Sequence, residues 1–254
     1  MPFTFSHPAI VLPLNYLPRK WISITGLVIG SLMPDLEAYL RFTSEKSESH
    51  TWTALFWFCI PLGTLLSFLY HLVVRNPLLY HLPQLLQEKL LRYTHFNWPR
   101  HFKNNLLVIL LSFFIGGASH LLWDSFSHFD GLLHKLNPAW LGNTRVLGYN
   151  IEIPYLIQYI NSLVGLLVIL FAIWQIPADN KNNTNKRWWS FWVKVVFISV
   201  PVFLIRWAVM DRYKLDDVIV SLSTALMLGL LITSAWYRNR FYKKDRSLTQ
   251  KENV

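Results

Sequence analysis

The sequence predicts an all-α, polytopic helical membrane protein with about five to six transmembrane helices and an N-terminal hairpin of two short helices. Its composition is 53% hydrophobic and only 15% charged, whereas soluble domains carry about 25% charged residues. Five apolar runs are each long enough, at about 20 residues, to cross a bilayer. These runs are Trp52–Val74, Leu106–Phe126, Tyr155–Ile176, Phe191–Val209 and Val218–Tyr237.

The N-terminal hairpin is predicted from the positions of its prolines. Pro8 suits the first turn of a helix, and Pro13 distorts that helix, so the first helix should be short. After a turn at Leu17–Lys20, we expect a second helix over Trp21–Met33, because the residue before Pro34 avoids the α region. A length of about 12 residues is too short for a full span. We therefore expect both pieces to be buried or re-entrant.

The net charge of +10 comes largely from basic residues that lie between the apolar runs and in the tail. The positive-inside rule places such segments in the cytoplasm. The basic segments are Arg75–Lys103, Lys181–Arg187 and Arg238–Lys251. The sequence carries no fingerprint of a nucleic-acid-binding module, so we expect a lipid bilayer as partner and no nucleic acid. The chain is then a multi-pass protein of the cell (inner) membrane.

The distribution of polar and apolar residues predicts three parts of the chain. Residues 1–154 form a helical domain with the hairpin, two spans and the loop that follows them. Residues 155–237 form the C-terminal transmembrane helices. Residues 238–254 form a basic, cytoplasmic tail that we expect to be disordered, because it is too polar to build a packed core.

Residues able to bind a metal recur every four positions at the end of the run Leu106–Phe126, as His120, Asp124 and His128. On an α-helix this spacing places all three on one face. An ionisable side chain in a membrane segment costs roughly 2.5–3.5 kcal/mol, so three in register favour a functional site over a polar helix end. Imidazole and carboxylate together suit a borderline divalent metal such as zinc.

Antiparallel packing of the helices would bring more donors to the same end. His7 begins the first short helix and Asp35 follows the second, so a hairpin places them together. His50 precedes the first long span, and the second long span runs in the opposite direction and ends near His120. His50 and His120 should therefore lie at the same end. The residues that gather at this end are His7, Asp35, His50, His120, Asp124 and His128.

Other polar residues are expected to lie outside this group. His71 is roughly 30 Å from His50 along a continuous helix, so we interpret it as structural. Glu37 faces away from Asp35 on a regular helix and is a reserve candidate. The hydroxyl groups expected to support the imidazoles belong to Ser6, Ser119, Ser127 and Thr51.

Three segments of the chain resemble an uncharacterised bacterial membrane family classed as a domain of unknown function: MPFTFSHPA, GSLMPDLE and SHLLWDSFSH. More distantly, the order His…Pro-Asp…His…His-x-x-x-Asp resembles the inner-membrane metal-dependent hydrolases, the zinc-dependent phospholipases C and the zinc nucleases. This resemblance implies metal ligation by His7, Asp35, His50, His120, Asp124 and His128. No His-x-x-x-Glu pair follows His128, so we expect one or two zinc-type ions rather than three.

The function implied by the resemblance is metal-dependent hydrolysis. Two ions about 3.5–4 Å apart, sharing a carboxylate, can hold a phosphoester oxygen and activate a water molecule. Asp124 would be the shared carboxylate, because a histidine lies one turn to either side of it. Asp35 would be either a ligand or the general base. The position at a membrane edge, on the extracytoplasmic face, suggests a lipid-like or amphiphilic substrate.

Two other functions fit the same residues. The metal could simply hold helices together in a non-catalytic membrane protein, and the sequence does not distinguish such a closed site from an open one. Alternatively, the histidines and aspartates could line the path of an ion- or proton-coupled transporter. A transporter needs polar residues at mid-depth in several spans, whereas here they gather at one end. This distribution favours the hydrolase over the transporter.

Overall fold

The computed structural model describes residues 3–44, 48–127, 135–137, 141–146, 148–179, 187–210 and 214–251. Within these ranges the chain is mainly helical, with one small β-hairpin. It forms two compact units. The first unit consists of Met1–Ser67 and Phe102–Gln175, and the second consists of Phe68–His101 and Ile176–Val254.

Five helices are long and apolar enough to cross a membrane, which confirms the predicted class of all-α, polytopic membrane protein. In chain order the elements are α1 (Pro8–Val11), α2 (Ile24–Gly30), α3 (Met33–Arg41), α4 (Leu55–Tyr80), α5 (Gln84–Leu90), α6 (Trp98–Asn104), α7 (Leu106–Ser127), β1 (Asn143–Val146), β2 (Tyr149–Glu152), α8 (Ile153–Trp174), α9 (Trp189–Ala208) and α10 (Leu215–Lys251). The candidate spans lie in α4, α7, α8, α9 and α10. Each coincides with a predicted apolar run, although α4 continues from the predicted end at Val74 to Tyr80. The last helix, α10, continues past Tyr237 to Lys251, into the tail predicted to be disordered.

The first residues of the chain form short helical pieces rather than a span. Pro8 occupies the first turn of α1, as predicted. The chain then tightens into a 3-10 turn over Leu12–Tyr16. Pro13 lies in this turn and has no N–H group to donate to an α-helical hydrogen bond, which accounts for the early end of α1.

The second short helix is smaller than the predicted Trp21–Met33. It begins after Ser23, whose hydroxyl accepts a hydrogen bond from the backbone N–H of Gly26 at 3.2 Å and so caps α2. The next helix, α3, starts at Met33 with Pro34 in its first turn. Proline is favoured there because the first N–H groups of a helix have no partner within it.

Glycines allow α2 to lie directly against α7 in the first unit. A Cβ atom placed on Gly116 would lie 2.7 Å from the backbone nitrogen of Ser31 and 2.9 Å from the carbonyl carbon of Gly30, where ordinary contacts are 3.4–4 Å. A Cβ atom on Gly30 would likewise meet the backbone of Phe113. The two backbones are thus in contact, and this contact brings the carbonyl group of Ser31 to His120 on α7.

The first unit also contains a two-stranded antiparallel hairpin before α8. Strand β1 pairs with β2 in a register that runs from Asn143 opposite Glu152 to Val146 opposite Tyr149. Gly148 adopts a φ of +87°, in the left-handed region that glycine tolerates. The sequence predicts no strand here, because strands of four residues are too short to display an alternating pattern.

The second unit is organised in part around a buried arginine. Arg75 donates hydrogen bonds to the carbonyl oxygens of Thr94 and Phe96, at 2.9 and 2.8 Å. It also donates to Nδ1 of His71 at 2.9 Å. The His71 ring stacks on Trp98 with ring centroids 4.5 Å apart. These contacts fit the structural role expected for His71.

Candidate metal centre

His120 and Asp124 lie on consecutive turns near the end of α7. Their spacing of four residues puts both side chains on one helix face, as predicted. Nε2 of His120 lies 3.2 Å from Oδ2 of Asp124. Both residues are buried, His120 completely.

Asp35 and His50 approach this pair from the N-terminal part of the chain. Asp35 lies in the first turn of α3 and is completely buried. Its Oδ1 atom is 3.0 Å from Nε2 of His50 and 3.3 Å from Nε2 of His120. The His50 nitrogen is also 3.6 Å from Oδ2 of Asp124. The four residues each offer one donor atom, and these atoms all lie within 4.8 Å of one another.

The separations between these donor atoms fit a tetrahedral ion. Zinc binds nitrogen and oxygen at about 2.0–2.1 Å, so two ligands of a tetrahedral site should be about 3.3–3.4 Å apart. The four measured nitrogen–oxygen separations are 3.0, 3.2, 3.3 and 3.6 Å. All donor pairs lie within 4.8 Å, so Asp35, His50, His120 and Asp124 could hold one four-coordinate ion after a contraction of the cluster around it.

His7 joins the same group from the N-terminal residues. Its Nε2 atom lies 3.2 Å from Oδ1 of Asp124, whereas His120 and His50 contact Oδ2. Its ring stacks on that of His120, with centroids 4.0 Å apart and an angle of 16° between the planes. The structure thus gathers five of the residues selected from the sequence. The sixth, His128, lies outside the described residues.

The backbone fixes the tautomers of two of these histidines. Nδ1 of His120 lies 2.7 Å from the carbonyl oxygen of Ser31, and Nδ1 of His7 lies 3.0 Å from that of Thr4. A carbonyl oxygen only accepts hydrogen bonds, so each Nδ1 carries the hydrogen. In the neutral rings, Nε2 then presents a lone pair to a carboxylate oxygen. Among the described residues, Nε2 of His120 has no hydrogen-bond partner.

Nε2 of His120 and the carboxylate oxygens that it faces need a cation between them, which is either a proton on Nε2 or a metal ion. The bond from Nδ1 to a carbonyl is typical of a metal-ligating histidine, whose second ring nitrogen donates to a carbonyl or carboxylate. The chemistry of the donor set, three imidazoles and two carboxylates, also suits zinc-type metals. The burial of Nε2 beside two carboxylate oxygens is therefore the clearest sign that the cluster can hold a metal.

Asp35 is held as an anion by its surroundings. Burial by itself would raise its pKa, but the positive charge of a protonated His120 ring and the hydrogen bonds from His120 and His50 hold the pKa well below its usual range. Oδ2 of Asp35 accepts a hydrogen bond of 2.5 Å from the hydroxyl of Thr4. Thr4 in turn accepts a hydrogen bond of 2.7 Å from the hydroxyl of Tyr39. Burial raises the pKa of Tyr39, so this hydroxyl keeps its proton.

Glu37, the reserve candidate, supports the cluster from outside. Its Oε2 atom accepts a hydrogen bond from the backbone N–H of Ser49 at 2.9 Å, and its Oε1 atom pairs with Arg41 at 3.2 Å. Ser49 also donates from its hydroxyl to the carbonyl oxygen of Pro34 at 2.5 Å. These bonds fix the residue that precedes His50.

Three of the four hydroxyl groups selected from the sequence bond to their own backbone rather than to the imidazoles. Those of Ser6, Ser119 and Thr51 each donate to the carbonyl oxygen three residues earlier. Short hydroxyl side chains commonly form such local bonds. The side chain of Ser127 is not among those the structure describes. The structure instead uses the carbonyl group of Ser31, which bonds to His120, and the hydroxyls of Thr4 and Tyr39, which support Asp35. Of these three residues only Tyr39 carries a sequence signal, because it lies four residues after Asp35 on the same helix.

The cluster is most accessible beside His50. The side chain of His50 is 24% exposed, whereas those of His120 and Asp35 are 0% exposed. The exposed residues that flank His50 in the chain are both polar and apolar: Glu48, Thr51, Trp52 and Thr53. A molecule that reaches the cluster would therefore approach beside His50.

Comparison with known families gives one match. The family described as "Domain of unknown function (DUF4184)" matches residues 1–235, a range that contains all five gathered residues. No curated protein and no solved structure matches the chain. The match covers nearly the whole sequence, and the protein therefore belongs to the DUF4184 family of unknown function.

Proposed function

We propose that the protein is a membrane-embedded, metal-dependent hydrolase that cleaves phosphoester bonds in a lipid-like or amphiphilic substrate. The observation that carries the proposal is the buried Nε2 atom of His120, which lies 3.2–3.3 Å from carboxylate oxygens of Asp124 and Asp35. A zinc-type ion would satisfy all three groups. Such an ion, when bound, lowers the pKa of a coordinated water to about 7 and polarises a phosphoester oxygen.

The two carboxylates are assigned different roles. Oδ2 of Asp35 is engaged by Thr4 and its Oδ1 faces two imidazoles, which supports a ligand rather than a general base. Asp124 presents Oδ1 to His7 and Oδ2 to His120. This arrangement supports Asp124 as a shared carboxylate, with a second, less complete ion position beside His7.

The position of the cluster supports an amphiphilic substrate. His50 precedes the candidate span Leu55–Tyr80, and Asp124 lies near the end of the candidate span Leu106–Phe126. The donors thus lie at the ends of apolar helices, where a polar headgroup would meet water while its chain stays in lipid. By the positive-inside rule, this end faces away from the cytoplasm of a bacterial inner membrane, with the C-terminal tail on the cytoplasmic side.

The accessibility of His50 is the feature that supports an enzyme. Structural sites are closed by four protein ligands, whereas catalytic sites keep an open position or expand to five ligands. The four donors of the proposed site would fill a tetrahedral shell, so a reacting water would have to add as a fifth ligand. His50 is the most exposed of the four side chains, and water and substrate would enter beside it.

Metal content and hydrolysis together test the proposal. Protein purified in detergent without chelators should contain at least about one transition-metal ion per chain, and Asp124→Ala should contain little. The wild-type protein should hydrolyse a short-chain phosphatidylcholine in micelles faster than a water-soluble nitrophenyl phosphodiester. His120→Ala should lose both metal and activity, whereas His95→Ala, an exposed histidine of the second unit, should keep both.

The alternatives predict different outcomes. A metal that is bound stoichiometrically without hydrolysis of any phosphoester would indicate a structural site. Protein free of any transition metal, before and after incubation with zinc, would refute the proposed function.

A further inference from the structure

The two oxygen atoms of Asp35 have different surroundings. Oδ1 lies 3.0 Å from Nε2 of His50 and 3.3 Å from Nε2 of His120. Oδ2 instead accepts the hydrogen bond from the Thr4 hydroxyl. Only Oδ1 is therefore directed at the position between the imidazoles.

The order of donors along the Tyr39–Thr4–Asp35 chain follows from the chemistry of its groups. An ionised carboxylate only accepts hydrogen bonds, so the single hydroxyl proton of Thr4 is directed at Asp35. The hydroxyl of Tyr39 must then donate to Thr4, at 2.7 Å. Such chains polarise their members and strengthen the terminal bond. Tyr39 thereby orients Thr4, and Thr4 holds Asp35.

Burial makes this bond hard to replace. Thr4, Tyr39 and Asp35 are only 2%, 6% and 0% exposed. Water therefore has little access to Oδ2 if the Thr4 hydroxyl is removed. The oxygen would then turn towards the nearest positive charge, which in the loaded protein is the metal.

Thr4 contacts a second member of the cluster through its backbone. Its carbonyl oxygen accepts the hydrogen bond from Nδ1 of His7, at 3.0 Å. A side-chain substitution at Thr4 leaves this carbonyl in place. Variants at this position therefore keep the support of His7 and change only the hydroxyl's bonds to Asp35 and Tyr39.

We propose that Thr4, oriented by Tyr39, is a positioning residue that restricts Asp35 to binding a metal through one oxygen. The inference rests on the proposed function, because it requires an ion at the cluster. With Oδ2 engaged, the first site keeps four donors from Asp35, His50, His120 and Asp124. If Oδ2 were released, the carboxylate could bind through both oxygens and occupy a position that water or substrate needs.

Cobalt(II) in place of the resident metal tests this proposal, because its visible spectrum reports the coordination number. Metal-stripped protein in detergent should give the intense absorption of a four-coordinate ion. Thr4→Val should give weaker, five-coordinate absorption, and its cobalt affinity should fall about 10–100-fold, the usual effect of losing a ligand's support. Thr4→Ser keeps the hydroxyl and should restore both properties. Tyr39→Phe should have a spectrum and a cobalt affinity between those of the wild type and Thr4→Val, because Thr4 can still donate to Asp35.

The outcomes separate the inference from the proposed function. If Thr4→Val keeps the wild-type spectrum and affinity, Thr4 does not position Asp35, even if the metal-free variant unfolds at a lower temperature. If Thr4→Ser behaves like Thr4→Val, the hydroxyl is not the cause and the inference is overturned. If the wild-type protein binds no cobalt, it is the proposed function that fails, and with it the inference.

Discussion

Replacement of Gly116 by alanine should disturb the cluster without touching any of its donors. The added Cβ atom would lie 2.7 Å from the backbone nitrogen of Ser31 and would also meet the carbonyl oxygen of Leu27. Ordinary contact begins at 3.4 Å, so α2 and α7 must separate by roughly 0.7 Å or more. The hydrogen bond between His120 and the Ser31 carbonyl, now 2.7 Å long, would lengthen beyond the usual range for such bonds.

The expected effect has two components. Overpacking of a close interface costs about 1–3 kcal/mol, and loss of one hydrogen bond costs about 0.5–1.5 kcal/mol. Gly116→Ala should therefore reduce the free energy of unfolding by roughly 1.5–4.5 kcal/mol. Because the lost bond fixes the orientation of a ligand, metal affinity should also fall about 10–100-fold.

Gly229→Ala is the matched control. Its Cβ atom would lie 2.6 Å from the carbonyl oxygen of Val195, a comparable clash between α9 and α10 of the second unit. Both variants should unfold at lower temperature in detergent. Competition with a chromophoric chelator should show weakened metal binding only for Gly116→Ala. Equal metal affinity in the two variants would refute the role given to the Ser31 carbonyl.

Three further predictions concern the ligands and their location. His7→Ala and Asp124→Ala should each lower metal content, and the double variant should lose less than the sum, because the first loss already breaks the shell; additive losses would indicate independent sites. His71→Ala should keep full metal content, since this ring is paired with an arginine in the second unit; an empty site in this variant would contradict the ligand assignment. In a cysteine-free background, single cysteines at the exposed positions Thr53 and Tyr149 should react with an impermeant reagent outside intact cells, and labelling only after lysis would invert the topology.

Much of the fold follows from simple sequence patterns. The five spans were predictable because apolar runs of bilayer length have few alternative structures. The pairing of His120 with Asp124 was predictable because helical periodicity alone brings residues four apart together. Gathering Asp35 with them required only that the short N-terminal pieces fold back as a hairpin.

The supporting contacts were less predictable, for physical reasons. Every residue has a carbonyl group, so nothing in the sequence marks the one of Ser31 as the partner of His120. A hydroxyl such as that of Ser6 or Thr4 can bond to its own backbone or to a distant group, and only tertiary packing decides between them. The β-hairpin before α8 was missed because its strands are only four residues long.

The wide spacing of the donors along the chain has a consequence for biosynthesis. His7 and Asp124 are 117 residues apart, and the short helices between His7 and Asp35 cannot span a bilayer by themselves. These short helices can reach their final packing only after α7 has been synthesised and inserted, because α2 packs against α7 through Gly30 and Gly116. Until then Asp35, buried in the finished protein, lacks its partner His120. The cluster is therefore assembled after translation of α7, and any metal must be acquired at or after that stage.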